Sequence, residues 1–226
     1  MAEYTSLQAA AYHHVQELVL SGQLQPGVLY SETKMAAEIG ISRTPMKDAL
    51  VRLSQDKFVD IIPSKGFRLH QMSSEDIWST YQARTAVEGF CAMQLAQQRT
   101  SPEGQAAIRA MERCLCDMNR FLETPSGEDR IITLLEQDVR FHQALVDFCQ
   151  NEELKQLFKT YHYRLYFFAL ASLRVEGRPQ DAFQEHKTIL EAITDSGDSV
   201  GTRAYMSIVR HMEITRDIML SILSDN

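Results

Sequence analysis

The feature that most constrains the fold is a change in hydrophobic periodicity near residue 72. Before this point, apolar residues occur in short runs that are separated by turn signals such as Pro26-Gly27 and Pro63-Ser64-Lys65-Gly66. After it, strand patterns disappear and apolar residues repeat with the period of long amphipathic helices. The sequence therefore predicts two domains, 1–71 and 72–226, of which the second is all-helical.

Three short helices are predicted in the first domain. The first is amphipathic and ends at Ser21-Gly22. Ser31 can cap the second, which Gly40 closes as a residue suited to positive φ. Thr44 can cap the third, with Pro45 at the first helical position, where a missing N–H costs nothing.

A β-hairpin follows the third helix. The β-rich run 58–62 and the alternating apolar and polar run 67–70 flank a Pro-Ser-Lys-Gly turn. This order of elements is that of a winged helix-turn-helix, which binds DNA. The fold class predicted for the chain is mostly α, with this N-terminal domain and a C-terminal bundle of six helices at roughly 74–98, 102–123, 129–148, 151–174, 179–195 and 199–224.

The distribution of charge is compatible with a nucleic-acid partner. The formal net charge is −7, but residues 1–72 contain seven Lys/Arg and seven Asp/Glu, so the whole negative excess lies in the remainder. All seven basic residues of the first part fall between 34 and 68, which leaves room for a local positive face.

Polar side chains cluster at the start of the third helix. Ser42 and Thr44 offer hydroxyls, and the helix start offers free N–H groups, which suit phosphate oxygens. Arg43 can donate two hydrogen bonds to a guanine edge, and Lys47 is a further donor. Lys65-Gly66 at the hairpin tip would let the wing approach DNA closely. The same residues also fit an ordinary capped helix start in solvent, so spacing alone leaves both interpretations open.

Three histidines and one aspartate are candidate metal ligands. Asp138 and His142 lie four residues apart on one helix face, and His186 and His211 lie among bulky apolar residues on two other helices. A buried polar ring needs either a hydrogen-bond partner or a ligand, so each histidine also fits an ordinary core position. If the four side chains converge, their donor atoms suit a divalent transition metal.

Two further features concern the cellular compartment. No run of about eighteen apolar residues and no secretory signal is found, so we expect a cytoplasmic protein without membrane contact. The cysteines lack paired metal-binding spacing and are too scattered for a disulfide framework, so we expect reduced thiols in a cytosolic core. They are Cys91, Cys114, Cys116 and Cys149.

The N-terminal motifs resemble the signature of the GntR superfamily of bacterial transcription factors. The resemblance covers nearly all of residues 7–70 and implies operator contacts from these positions. The family usually has Arg-Glu where this chain has Lys47-Asp48, and lysine lacks the planar two-donor fork of arginine. The motifs are Gly22-Gln23-Leu24-Gln25-Pro26-Gly27, Ser31-Glu32, Met35-Ala36, Gly40-Ile41-Ser42-Arg43-Thr44-Pro45-Met46-Lys47-Asp48-Ala49-Leu50, Arg52-Leu53 and Ile62-Pro63-Ser64-Lys65-Gly66-Phe67. The implied contacts are Ser42, Arg43, Thr44, Lys47 and Gly66, with Thr33 near the DNA backbone.

The motifs around the histidines resemble the FCD effector domain, which defines the FadR-type subgroup of GntR regulators. The resemblance implies one divalent metal, namely zinc or else nickel or manganese, with a small carboxylate effector completing its coordination. Its implied ligands are Asp138, His142, His186 and His211. The motifs are Asp138-Val139-Arg140-Phe141-His142, Glu185-His186 with Ile189-Leu190, and Met206 with Arg210-His211.

Two arginines are candidate effector ligands. Arg84 matches the helix position at which relatives often place an arginine facing the effector carboxylate, a role that suits its bidentate geometry. Arg164 is a second candidate. For both, the alternative is an ion pair at the surface or between helices.

These observations predict a homodimeric transcriptional regulator, with repression as the expected mode. It would bind a palindromic operator and respond to a small carboxylate. Two alternatives stay open: a regulator whose metal ion is purely structural, and a metal-dependent enzyme. Against an enzyme, no residue stands out as a general base, and the fused winged helix would have no role.

Overall fold

The computed structural model describes residues 6–124, 127–197 and 199–224. Contacts within the chain divide it into two compact units, 1–72 and 73–226. The first unit contains α1 (Leu7–Leu20), α2 (Glu32–Glu38), α3 (Arg43–Gln55), β1 (Val59–Ile62) and β2 (Gly66–Leu69). The second contains α4 (Ser74–Gln97), α5 (Pro102–Leu122), α6 (Glu128–Phe148), α7 (Glu152–Leu173), α8 (Arg178–Thr194) and α9 (Val200–Ser224).

Helix α3 is the centre of the first unit. It packs against α1, α2 and β1. Its apolar residues recur at helical spacing, so they form one face of the helix, and this face is buried against these elements. The buried residues of α3 are Met46, Ala49, Leu50 and Leu53, and α1 contributes Ala11 and Val15 to the same core.

The start of α3 differs from the prediction. The helix begins at Arg43 with Ser42 as its N-cap, so Thr44 is not the cap and Pro45 is the third helical residue. Proline is tolerated there because the first N–H groups of a helix have no acceptor within the helix. Pro45 therefore indicates where the first turn of α3 lies, but it does not identify the residue at which the helix begins.

The hairpin is joined by a third extended segment that the sequence analysis did not predict. Strands β1 and β2 pair antiparallel, with Ile62 opposite Gly66. The Tyr30 N–H donates to the Phe67 carbonyl at 2.7 Å, and the Phe67 N–H donates to the Tyr30 carbonyl at 3.0 Å. Gly66 has φ +128°, and a Cβ there would lie 2.0 Å from the Tyr30 carbonyl oxygen. The local backbone therefore requires this glycine, whether or not the wing contacts DNA.

The mostly helical fold class is confirmed, and α4–α9 match the predicted helices to within one residue at either end. Polar caps set several of these ends. Ser73 and Asp76 form a reciprocal capping box at α4, and Ser101 and Asn151 accept hydrogen bonds from first-turn N–H groups of α5 and α7. None of the described helices is long and apolar enough to cross a membrane.

Helix α4 lies inside the bundle. It packs along α9 and also contacts α6, α7 and α8. A Cβ at Gly89 would lie 2.7 Å from the Tyr205 ring, so the two helices approach closely at this point. As a result, the polar side chains of Arg84 and Glu88 are buried in the middle of the second unit.

Candidate nucleic-acid interface and candidate metal centre

The N-terminus of α3 is exposed and lacks a side-chain cap. Ser42 has the extended backbone of an N-cap, but its side chain makes no capping hydrogen bond, whereas Ser31 accepts one from Lys34 at α2. The Ser42 hydroxyl therefore leaves the first N–H groups of α3, at the positive end of the helix dipole, without the usual cap. This arrangement suits a phosphate oxygen.

Arg43 makes an ion pair that the sequence analysis did not predict. Its Nε and Nη2 groups both donate to Glu32 Oε2, each at 3.1 Å. The Arg43 side chain is 66% exposed, whereas that of Glu32 is only 12% exposed. The guanidinium thus stands at the surface with one edge held by a carboxylate from the first turn of α2.

The other predicted DNA contacts lie in the same unit. Most are exposed, as contact with DNA requires, but Gly66 is buried beneath the Tyr30 backbone. The close approach of the wing to DNA stays a prediction, and the structure supplies an independent reason for the glycine. The exposed candidates are Thr33, Ser42, Arg43, Thr44, Lys47 and Lys65.

The second unit brings the predicted metal ligands together. His142 on α6, His186 on α8 and His211 on α9 are buried, and one ring nitrogen from each lies within 4.8 Å of the others. The Nε2 atoms of His142 and His186 are 3.0 Å apart. Asp138, one turn before His142, places Oδ1 3.2 Å from His186 Nε2. Phe141 packs edge-on against His186, with ring centres 4.7 Å apart.

Two of the three imidazoles are each hydrogen bonded to a glutamate. His142 Nδ1 is hydrogen bonded to Glu88 Oε2, and His211 Nδ1 to Glu185 Oε2 at 2.7 Å. When Nδ1–H donates to a carboxylate, the Nε2 lone pair remains for a metal ion. Neither glutamate was predicted as a functional residue. The sequence signal that could have indicated Glu88 is its position four residues after Arg84, which places the two side chains on one helix face.

Buried arginines keep both glutamates ionised. Arg84 Nε donates to Glu88 Oε1 at 2.8 Å, and Arg178 donates from Nη1 and Nη2 to the two Glu185 oxygens at 2.7 and 2.9 Å. Burial raises the pKa of Glu88, but the positive charge of Arg84 and the hydrogen bonds from His142 and Arg84 outweigh it and bring the pKa to about 2. Burial likewise opposes ionisation of Glu185, and hydrogen bonds from His211 and Arg178 lower its pKa to about 2.

The third histidine is neutral and incompletely bonded. Burial lowers the pKa of His186 to about 3, against the opposing charge of Asp138. Its Nδ1 atom is buried and has no hydrogen-bond partner among the described residues. Neutral imidazole is the form that binds metals. Three imidazole nitrogens beside one carboxylate oxygen are a donor set that fits a divalent transition metal.

The two candidate effector ligands are both buried. Arg84 makes an ion pair with Glu88, but the pair is buried and lies within α4, unlike the alternative of a pair at the surface or between helices; the hydrogen bond is donated by its Nε group. The amino groups of the same guanidinium are the donors that an effector carboxylate would need. Arg164 lies on α7 with its guanidinium carbon 5.1 Å from the centre of the Tyr161 ring. The effector role of both arginines stays a prediction.

Comparison with known families matches both units. The model described as bacterial regulatory proteins, gntR family, matches residues 7–69, and that of the FCD domain matches residues 79–213. The chain belongs to the GntR family. Its N-terminal unit is the family's DNA-binding domain, and the histidine cluster lies within its FCD domain.

This GntR-family chain is similar to other bacterial regulators. It is 23% identical over 201 residues to the HTH-type transcriptional regulator YdhC of Bacillus subtilis (strain 168), covering 88% of this chain and 86% of the relative. It is 24% identical over 190 residues to the HTH-type transcriptional repressor GlaR of Escherichia coli (strain K12), covering 80% and 83%. A GntR transcriptional regulator from Rhodococcus sp. RHA1 shares its fold, with TM-score 0.71 and 16% identity over 95% of this chain and 97% of that one. The protein is a DNA-binding transcriptional regulator, like the relatives that it matches.

Proposed function

We propose that this regulator is a repressor that releases its operator when a small carboxylate binds beside a metal ion in the FCD domain. The observation that carries the proposal is the convergence of three buried imidazoles, two of them held by ionised glutamates. The mode of action is supported by relatives named as repressors, such as GlaR.

The metal would be held by Asp138, His142, His186 and His211. Imidazole nitrogens and a carboxylate oxygen are common zinc ligands, and nickel and manganese accept similar sets. Once bound, the ion would supply a positive centre that attracts a carboxylate. The hydrogen bonds that Glu88 and Glu185 accept from His142 and His211 support this assignment, because metal-binding histidines commonly donate their other N–H to a carboxylate.

The effector would be anionic. Arg84 lies beside His142 through their shared partner Glu88, and its amino groups offer bidentate hydrogen bonds to a carboxylate. Arg164 is the second candidate. The effector would need different affinities for the arrangement that binds the operator and the arrangement that does not, so that its binding shifts the equilibrium between them. Coupling of roughly 1–3 kcal/mol changes operator affinity about 5- to 150-fold.

On DNA, α3 would lie in the major groove. Arg43 would contact a guanine, and Ser42, Thr44 and the free N–H groups of α3 would contact phosphate. Lys47 would add a charged donor, and Thr33 and Lys65 would lie near the backbone. A homodimer would place two α3 helices in successive major grooves of a palindromic operator.

Elemental analysis of untagged protein tests the metal site. We expect one transition-metal ion per chain in the wild type and its loss in the His186→Ala/His211→Ala variant. The His13→Ala variant is the matched control, because it removes an imidazole from α1, in the other unit. Full metal occupancy in the double variant would show that these histidines are core residues.

A carboxylate titration distinguishes a metal site that binds an effector from a metal ion that is purely structural. Metal-loaded protein bound to operator DNA is titrated with a panel of small mono- and dicarboxylates. We expect at least one to release the DNA and to do so less effectively from the Arg84→Lys variant. If none releases DNA while chelation of the metal lowers thermal stability, the ion is structural.

A further inference from the structure

We infer that Glu32 is a positioning residue for DNA recognition, because it fixes the direction in which the Arg43 guanidinium points. The inference rests on the proposed function, in which Arg43 reads a guanine. It adds a residue that touches no base itself and acts only through Arg43.

The hydrogen bonds define which edge of the guanidinium is occupied. A guanidinium has one edge formed by Nε and Nη2 and another formed by Nη1 and Nη2. Glu32 Oε2 accepts from Nε and Nη2, so the carboxylate occupies the first edge. The second edge carries the two parallel donors that match O6 and N7 of guanine. The ion pair therefore leaves the base-reading edge of Arg43 available.

The burial of the carboxylate distinguishes this pair from an ordinary surface ion pair. Exposed pairs hold two mobile side chains and contribute little. Here the Glu32 side chain is 12% exposed and that of Arg43 is 66% exposed. Glu32 also lies in the first turn of α2, where the helix dipole favours a negative charge. A largely fixed carboxylate therefore restrains a mobile arginine.

Restraint of Arg43 before binding has a measurable consequence. Ordering a long side chain at an interface weakens binding by about 2-fold to 12-fold if the side chain is free beforehand. The carboxylate also opposes a phosphate contact by Arg43, because both groups are negative. Glu32 should therefore increase the ratio of guanine-specific to non-specific binding, while slightly weakening non-specific binding.

The test compares two variants that remove the same charge from α2. Glu32→Gln removes the carboxylate that holds Arg43, and Glu38→Gln removes an exposed one at the other end of the helix. The probes are a duplex enriched from random sequence by the wild-type protein and the same duplex with each guanine replaced in turn. We expect Glu32→Gln to lose about 2-fold to 12-fold of the discrimination at one guanine. Glu38→Gln should keep it, and both variants should bind non-specific DNA at least as tightly as the wild type.

Two further variants separate the possible failures. In an Arg43→Ala background, Glu32→Gln should have no further effect on discrimination. If Arg43→Ala alone keeps wild-type discrimination, the proposed role of Arg43 is wrong. If Arg43→Ala loses discrimination but folded Glu32→Gln and Glu32→Ala proteins, checked by thermal unfolding, both keep it, the positioning role of Glu32 is wrong. A loss that persists in the Arg43→Ala background would also overturn it.

Discussion

Replacing Gly66 by alanine separates a structural requirement of the wing from a contact with DNA. Two costs follow from the geometry. At φ +128°, a side chain adds backbone strain of about 1–3 kcal/mol. The new Cβ, 2.0 Å from the Tyr30 carbonyl oxygen, would also force the hairpin away and break the two backbone hydrogen bonds to Tyr30, at about 0.5–1.5 kcal/mol each. Together these costs amount to about 2–6 kcal/mol.

The matched control is Gly27→Ala in the same unit. Gly27 has φ +77°, but a Cβ there meets no atom within 4 Å, so its cost is limited to backbone strain of about 1–2 kcal/mol. Hydrogen–deuterium exchange of the full chain is the assay. We expect Gly66→Ala, but not Gly27→Ala, to lose the protection of the Tyr30 and Phe67 amides. Protection in the second unit should be unchanged. A Gly66→Ala protein with wild-type protection and no operator binding would refute this reasoning and assign the glycine to DNA contact.

Three further predictions concern the two sites. Glu185→Gln should weaken metal binding about 10- to 100-fold, because His211 loses the carboxylate that orients it; calorimetric titration of metal-free protein checks this, and wild-type affinity would contradict it. Arg43→Ala should cost about 1–3 kcal/mol on the selected operator and little on a duplex that lacks the recognised guanine, as measured by gel shift. Lys47→Ala should lower the slope of log affinity against log salt by about one unit if the contact is to phosphate, whereas Lys47→Arg should retain or tighten binding; a wild-type salt series for Lys47→Ala would remove the position from the interface.

The helices were predictable because their ends carry local signals. Ser101-Pro102 begins α5 and Gly177 precedes α8, and both signals act within a few residues of the boundary. The third extended segment of the wing was not predictable, since a single bridge at Tyr30 produces no periodic pattern. The cap of α3 was misplaced because Ser42 and Thr44 are both suitable capping residues and only the backbone distinguishes them.

The candidate metal site likewise combines features that the sequence predicts with features that it does not. Asp138 and His142 share a helix face by spacing alone, so their proximity followed from the sequence. The partner of His142 is Glu88, 54 residues earlier, and that of His211 is Glu185, 26 residues earlier. Such pairings depend on how helices pack, which periodicity does not encode. The resemblance to a family supplied the ligands, but the groups that orient them emerged only from the packed bundle.

The pairing of the wing with Tyr30 would couple the two predicted DNA contacts, those of the wing and of α3. Tyr30 is hydrogen bonded to Phe67 of the hairpin and is followed directly by Ser31, the cap of α2, and by Glu32, which holds Arg43. If the wing contacts DNA as predicted, a wing that adjusts to the width of a groove would also shift the backbone next to Glu32. Discrimination at the guanine should then depend on the deformability of base pairs that α3 never touches. Substitutions in those flanking base pairs and at the guanine would not add independently in operator affinity.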